Sequence, residues 1–458
     1  MRSSNGHQSK RELMSKLVRG LTLTDSISIV VGTIIGTGVF LKTATMAQTM
    51  GNPTWVLVAW IFGGALSLTG ALAYAELGSI MPEAGGEYVY LKEGYGEMCG
   101  FLFGWMRFWI GAPGSIAAYA VGAVTFMSGM IDLEFIGGKT VAAVLLITFF
   151  SVLNCFSVAF GGKLNSFMTG LKLFMIIGIA VGIFFFAKEV SWSHFGESAP
   201  GVEGFIGWSA FGSAVVAALW AYDGWNNLSM VAGEIQNPKK NIPISFGIGL
   251  LIILLIYGLT NVAYFYALPF TEILSSNSSN FPDALPVATK AALSFLGTSG
   301  VTILSAAFVF SALGAMNGSI LTGARVPYAM AQDGLFFKKL GEVNAKSLVP
   351  VASVLTQACV SIMLAMSGTF DQLTDYVVFS AWIFYAMVTS VVFTMRKRRP
   401  DIQRDYKTIG YPVLPAVFII VGILLLINTV YTSPKSSMIG LGFILSGIPV
   451  FYYFKKTK

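Results

Sequence analysis

Charge is what this chain lacks most. Asp, Glu, Lys and Arg make up only 11% of its 458 residues, against roughly a quarter in soluble domains. A water-soluble fold is thereby excluded, and 55% hydrophobic residues leave a polytopic membrane protein. Histidine is almost missing. His7 and His194 both lie outside the apolar runs, which removes histidine metal centres and histidine-dependent triads. Cysteine is scarce too. Cys99, Cys155 and Cys359 are far apart and sit in or beside apolar runs, so they offer neither metal spacing nor a disulfide framework. The basic N-terminus, MRSSNGHQSKRELMSKLVRG, has no cleavable signal pattern. No metal and no organic cofactor is expected.

What is present is long apolar runs. A span needs about 20 apolar residues, and windows of that size give twelve: 23–48, 54–80, 98–130, 137–159, 164–187, 205–231, 243–268, 296–331, 348–367, 372–395, 411–431 and 437–454. Of the 29 Lys and Arg, 22 fall in segments on the side of the termini and four on the other. That excess puts both termini in the cytoplasm. The net charge of +7 is therefore a matter of topology, and no nucleic-acid partner is expected. Leu13, Leu17 and Leu21 with Lys10, Arg11, Lys16 and Arg19 fit a short helix lying on the membrane surface. The outer connection LPFTEILSSNSSNFPDALP, Leu268 to Pro286, is long enough to fold over an external vestibule. The inner stretch PEAGGEYVYLKEGYG, Pro82 to Gly96, reads as an interfacial loop with its tyrosines at the headgroups.

Two spans carry polar interruptions. The first contains VVGTIIGTGVF, with Gly36, Thr37 and Gly38 near its middle. The sixth contains WAYDGWNN, with Asp223 and Gly224 at its centre. Unpaired backbone in hydrocarbon is tolerated only where protein or a cavity supplies partners. The two spans are five apart, so a five-span repeat would be inverted, and matched breaks in inverted halves point to a transporter's binding site. A half-helix N-terminus suits a carboxylate, and the free carbonyls of a half-helix C-terminus suit an ammonium. An amino acid backbone needs both. For Gly32 and Gly36 the plainer reading is close helix packing, since their spacing is that of small residues at helix interfaces.

Together these motifs identify a family. VGTIIGTGVF, PEAGGEYVYLKEGYG, WAYDGWNN, GEIQNP (Gly233 to Pro238) and MNGSILTGARVPYAMAQDG (Met316 to Gly334) occur in order over about residues 20–340. The set resembles the L-type amino acid transporter family of the amino acid–polyamine–organocation superfamily. The likeness is greatest to bacterial serine/threonine or alanine/serine/cysteine exchangers, and implies a bacterial inner membrane. The resemblance implies an all-α fold of twelve helices, a five-plus-five inverted repeat (LeuT-like) with helices 1 and 6 broken. Residues 1–21 would form a cytoplasmic segment, 22–396 the transport core, and 397–458 two further helices and a tail. It also implies that the N–H groups around Gly36, Thr37 and Gly38 hold the substrate carboxylate. The carbonyls of Ile34 and of Trp220, Ala221 and Asp223 would take the amino group, with Trp220 as an aromatic gate. The expected cargo is small neutral amino acids, exchanged without sodium across the lipid bilayer. Eukaryotic members bind a heavy chain through a cysteine in the loop after span three; IDLEFIGGK, Ile131 to Lys139, has none, so no disulfide-linked heavy chain is expected.

Charges inside the spans sharpen the picture. Lys172 lies seven residues past Asn165, about 10 Å deep at 1.5 Å per residue, too deep to snorkel. Such a charge is a functional hypothesis by default. The resemblance implies an ammonium standing where related transporters bind sodium, bridging span-one carbonyls and a span-eight group such as Ser311. A purely structural partner for unwound carbonyls is the alternative. Asp223 reads equally as a cap for the unwound end or as a wall of the pocket. Arg107, about 10 Å deep, is expected to pair with an acid or to snorkel. Glu76 reads as a structural residue at the cytoplasmic end, and Asn317 as helix-to-helix glue or part of a gate. No nucleophile–base pair marks an enzyme. A proton-coupled symporter on the same fold, with Lys172 or Asp223 carrying the proton, and a channel are the rivals. A channel would want a continuous polar stripe, whereas the polar breaks here cluster at one depth.

Overall fold

The computed structural model describes residues 19–457 apart from 129, 157, 282, 283 and 369. Leu13 and Leu17 of the expected surface helix lie outside the described residues; Leu21, its last member, is buried and bonds by its backbone to Glu234 and Gln236. The chain is built of helices: α1 (Leu23–Ile34), α2 (Gly38–Met50), α3 (Pro53–Ile80), α4 (Glu87–Tyr95), α5 (Glu97–Met106), α6 (Ala112–Met127), α7 (Gly138–Asn154), α8 (Val158–Phe186), α9 (Trp208–Tyr222), α10 (Pro238–Ala267), α11 (Val287–Leu296), α12 (Thr298–Gly323), α13 (Arg325–Gln332), α14 (Val351–Ser367), α15 (Phe370–Arg398), α16 (Val413–Thr432) and α17 (Pro434–Thr457). Among the described residues nine helical stretches are long and apolar enough to cross a membrane, α1–α2 counting as one. The other three predicted spans are α7, α9 and α14, helices of 17, 15 and 17 residues.

Local chemistry sets the ends. Thr22 and Asp25 form a capping box at the start of α1, each side chain accepting from the other's backbone N–H. At MGNP, Gly51 turns left-handed (φ 62°) and closes α2. Asn52 then caps α3 by accepting from the N–H of Thr54 and Trp55, and Pro53 opens the helix.

α1 is enclosed by α8, α10 and α12, and α2 packs on α9. Apolar surfaces gain little by meeting each other in lipid, so polar contacts and close approach hold such bundles. Arg325 and Glu234 form an ion pair 3.0 Å long, both fully buried. Asn154 on α7 donates to Asn317 on α12 at 2.7 Å, so Asn317 serves as glue between helices. Gly32 admits α8: a Cβ there would lie 2.1 Å from the Thr169 hydroxyl, in keeping with the packing reading.

Two expectations need correction. Pro82 to Gly96 is not a simple loop but contains a helix, Glu87–Tyr95. Its α4 is packed inside, with Glu87, Tyr88, Tyr90 and Leu91 all buried, because Glu87 finds hydrogen-bond donors there. Arg107 does not snorkel. It lies in a π-helical turn, Arg107–Gly111, and its Nη2 donates to Asn227 Oδ1 inside the protein.

Glu76 is a structural anchor. It accepts from Arg396 at 3.0 and 2.7 Å and from the Thr408 N–H and hydroxyl, both 2.7 Å, while Arg404 stands 3.3 Å away. Glu76→Ala leaves the half-buried Arg396 and buried Arg404 without their anion. Removing one partner of such a pair costs about 3–5 kcal/mol. We expect a lower unfolding temperature in detergent; an unchanged midpoint would show that Arg396 and Arg404 are solvated without it.

Candidate functional site

The first break comes from residues that do not hold a helix. Gly36 and Gly38 lower helix propensity, and the Thr33 hydroxyl bonds back to the Ile29 carbonyl at 2.6 Å. α1 stops at Ile34, Ile35 turns extended (φ −69°, ψ 93°), and α2 begins at Gly38. A helix end leaves carbonyls without partners, and here other helices supply them. Lys172 on α8 donates to the carbonyls of Gly32 and Ile35, both at 2.7 Å. Ser311 on α12 donates to Gly36 at 3.1 Å. Tyr257 on α10 is 3.1 Å from the carbonyls of Ile34 and Ala221 alike and can donate to one at a time. Tyr119 on α6 reaches the Thr33 carbonyl at 3.4 Å.

The start of α2 is the opposite case. Its backbone bonds resume with the Phe40 and Leu41 N–H groups, both donating to Thr37. The N–H groups of Thr37, Gly38 and Val39 thus form an open first turn. Beside them the Thr37 hydroxyl is buried with no hydrogen-bond partner.

The second break lies against the first. α9 ends at Tyr222, Asp223 is extended (φ −64°, ψ 156°), and Asn227–Met230 makes one further helical turn. Gly224 has φ +104°, and a Cβ there would be 2.8 Å from the Thr33 carbonyl; only glycine fits both the angle and the approach. The Thr33 hydroxyl also stands 2.9 Å from the Gly224 carbonyl and can give its one proton there or to Ile29. Gly38 touches Ala221 so closely that a Cβ would lie 2.6 Å from the Ala221 Cα.

The remaining predicted residues fall around this junction. Lys172 and Ser311 converge on the Ile35 carbonyl, at 2.7 and 3.4 Å, so their meeting point is span-one backbone. Trp220 packs on Tyr119 with ring centroids 5.8 Å apart. It also walls a cavity of about 220 Å³ lined by Lys42, Thr45, Ser213 and Thr374, on the α2 side of the break. A second cavity of about 600 Å³, lined by Arg19, Glu83, Tyr88 and Lys92, lies on the side where α1 begins. Asp223 is turned towards α15, where it accepts from the Tyr385 hydroxyl at 2.7 Å, and so ties the second break to that helix. Sequence reasoning missed Tyr119, Tyr257, Tyr385 and Glu87. A tyrosine within an apolar run carries no mark of which backbone it serves.

The chain is similar along its length to amino acid transporters. A family model described as amino acid permease matches residues 21–454. The serine/threonine exchanger SteT of Bacillus subtilis (strain 168) is 31% identical over 444 residues, 96% of this chain and 98% of that protein. The b(0,+)-type amino acid transporter 1 of Mus musculus is 30% identical over 448 residues, 96% and 88% of the two chains. The human cystine/glutamate transporter is 31% identical over 448 residues, 96% and 86%. With a family model covering nearly all of the chain and relatives of this similarity along its length, the protein belongs to the amino acid permease family of the amino acid–polyamine–organocation superfamily, as a multi-pass membrane protein among amino acid transporters.

Proposed function

We propose that the protein exchanges small neutral L-amino acids across a membrane by alternating access, without sodium. One observation carries the reading: the two sides of the first break are unequally satisfied. The carbonyls at the end of α1 have donors from α6, α8, α10 and α12, while the N–H groups at the start of α2 and the Thr37 hydroxyl are open. An open helix N-terminus is a carboxylate site. The carbonyls of Ile34 and Ala221 each keep a second lone pair for an ammonium beside it. The bulk of Trp220, and Asp223 held by Tyr385, favour a small substrate. Serine/threonine exchange by SteT supports the same class.

Lys172 supports sodium independence. A cation fixed to the chain already occupies the Gly32 and Ile35 carbonyls. The fold reading that goes with this has twelve crossings, cytoplasmic termini, and a core of two inverted five-helix repeats over 22–396.

The test is uptake of labelled alanine or serine by proteoliposomes in sodium-free buffer. We expect uptake only into vesicles preloaded with unlabelled amino acid. Uptake into empty vesicles driven by a pH gradient would replace exchange with proton symport.

A further inference from the structure

Glu87 is a fully buried carboxylate in the first turn of α4, where a helix N-terminus favours negative charge. It has a specific target. Its Oε2 accepts from Asn226 Nδ2 at 2.8 Å, and its Oε1 from the Tyr74 hydroxyl at 2.7 Å. Asn226 belongs to the second break. The start of α4 is pressed against that break: the Gly85 N–H donates to the Met230 carbonyl at 2.9 Å, and a Cβ on Gly86 would lie 2.5 Å from the Ser229 backbone. The next residue of the turn, Asn227, is held by Arg107. The turn carrying Asn226 and Asn227 is thus gripped by one buried anion and one buried cation from different elements.

We propose that Glu87 is a positioning residue of the second break: its carboxylate holds the Asn226–Asn227 turn in the geometry the substrate site needs, and its protonation weakens that hold. The charged and titratable groups facing it are Tyr74 on α3, Tyr90 on its own helix, Arg107 on the π-helical turn, Asp223 in the break and Tyr385 on α15. Arg107 and the hydrogen bonds favour the charged form. Burial opposes them and wins, and pushes the carboxyl up to about 7, so the group changes charge near neutral pH. Above that pH a charge-assisted bond from Asn226 grips the turn, and a second, from Tyr74, ties the same carboxylate to α3. Below it neutral bonds about half as strong replace them. The Asn226 Oδ1 atom is buried without a partner, so a neutral Glu87, or a glutamine there, can donate to it once the amide flips. The turn then stays connected but is held less firmly.

The link to substrate affinity rests on the exchange reading above; the hold on the turn does not. Two readouts keep them apart. The first is hydrogen exchange of residues 223–231 in the full-length protein in detergent. At about pH 8, above the titration, Glu87→Gln is expected to exchange several-fold faster there than wild type, with Glu87→Asp close to wild type. Equal protection in Glu87→Gln and wild type overturns the hold. The second is the KM for alanine exchange across about pH 5.5 to 8.5. Wild type is expected to show a KM several-fold higher on the acid side with little change in kcat. Glu87→Gln is expected to keep the high KM at every pH, and Glu87→Asp to restore the dependence. A Glu87→Gln profile that follows wild type overturns the proposal. If the hydrogen-exchange result holds and wild type shows no exchange of amino acids, the hold on the turn stands and the exchange reading falls.

Discussion

Lys172→Ala is expected to lower amino acid exchange at least about a hundredfold, equivalent to roughly 2.7 kcal/mol. The ammonium makes two bonds of 2.7 Å to the end of α1, and hydrogen bonds to a charged group contribute about 1.5–3 kcal/mol each. Lys172 comes from α8 and is fully covered, so no water stands ready to take its place on these carbonyls. Without it the Gly32 carbonyl loses the donor it has, and Ile35 keeps only the longer contact to Ser311 at 3.4 Å. The break then has no fixed shape around which the open start of α2 can be presented. Lys172→Met separates charge from volume: it fills the same space and donates nothing, so it should fail as badly as alanine. Lys172→Arg should fail for a different reason. A Cβ on Gly314 would already be 2.5 Å from the lysine Cε, so α12 leaves no room for a guanidinium. Initial rates in sodium-free proteoliposomes check this, with the unfolding temperature measured beside them. Exchange within a few-fold of wild type in Lys172→Ala would show that the carbonyls of the break need no cation, and would remove the argument for sodium independence.

How much of this was legible in the sequence depends on the range of each interaction. The first break could be read because its cause is local: Gly36, Thr37 and Gly38 are poor helix formers in a run that must otherwise be helix. Lys172 could be read because depth in a span follows from counting residues. Glu76 stood out as an acid near the end of an apolar run, though nothing local pointed to Arg396 and Thr408, more than 300 positions away. The stretch from Pro82 to Gly96 was misread for the same reason. A polar, tyrosine-rich segment between two spans looks like a simple loop until its partners are known. Glu87 has those partners on α3 and in the second break, the latter 139 positions on. Tyr119, Tyr257 and Tyr385 were hidden because a buried tyrosine and a boundary tyrosine have the same composition. Asn226 and Asn227 could be seen beside Asp223, but that one answers to Glu87 and the other to Arg107 could not. The three shorter helices, α7, α9 and α14, were found as spans because windows of hydropathy do not register where hydrogen bonding ends.

Gly38→Ala is expected to lower exchange about a hundredfold or more while the protein still folds. The added methyl would sit 2.6 Å from the Ala221 Cα and 2.7 Å from its Cβ. Ordinary carbon contacts begin near about 3.5 Å, so the two breaks must separate by roughly 1 Å. The obstacle is backbone and a methyl group, and neither can turn away. Misplacement of that size in a preorganised site costs about a hundredfold, and here it falls where the open first turn of α2 meets α9 at Ala221. Gly36→Ala is the contrasting case. Its Cβ would also lie 2.6 Å from an atom, but that atom is Cε1 of the Tyr119 ring, which can rotate at a small cost. Gly36→Ala should therefore keep exchange within about tenfold of wild type, with the main loss in KM because Tyr119 also touches Thr33 and Trp220. The pair separates contact between breaks from glycine content, since both changes raise helix propensity equally. If Gly38→Ala transports as well as Gly36→Ala, the contact of α2 with α9 is not part of the transport cycle, and a site made by both breaks together is untenable. If both fail equally while both remain folded, the requirement is for a flexible chain between Ile34 and Gly38, and the fit of Gly38 against Ala221 is not what limits transport.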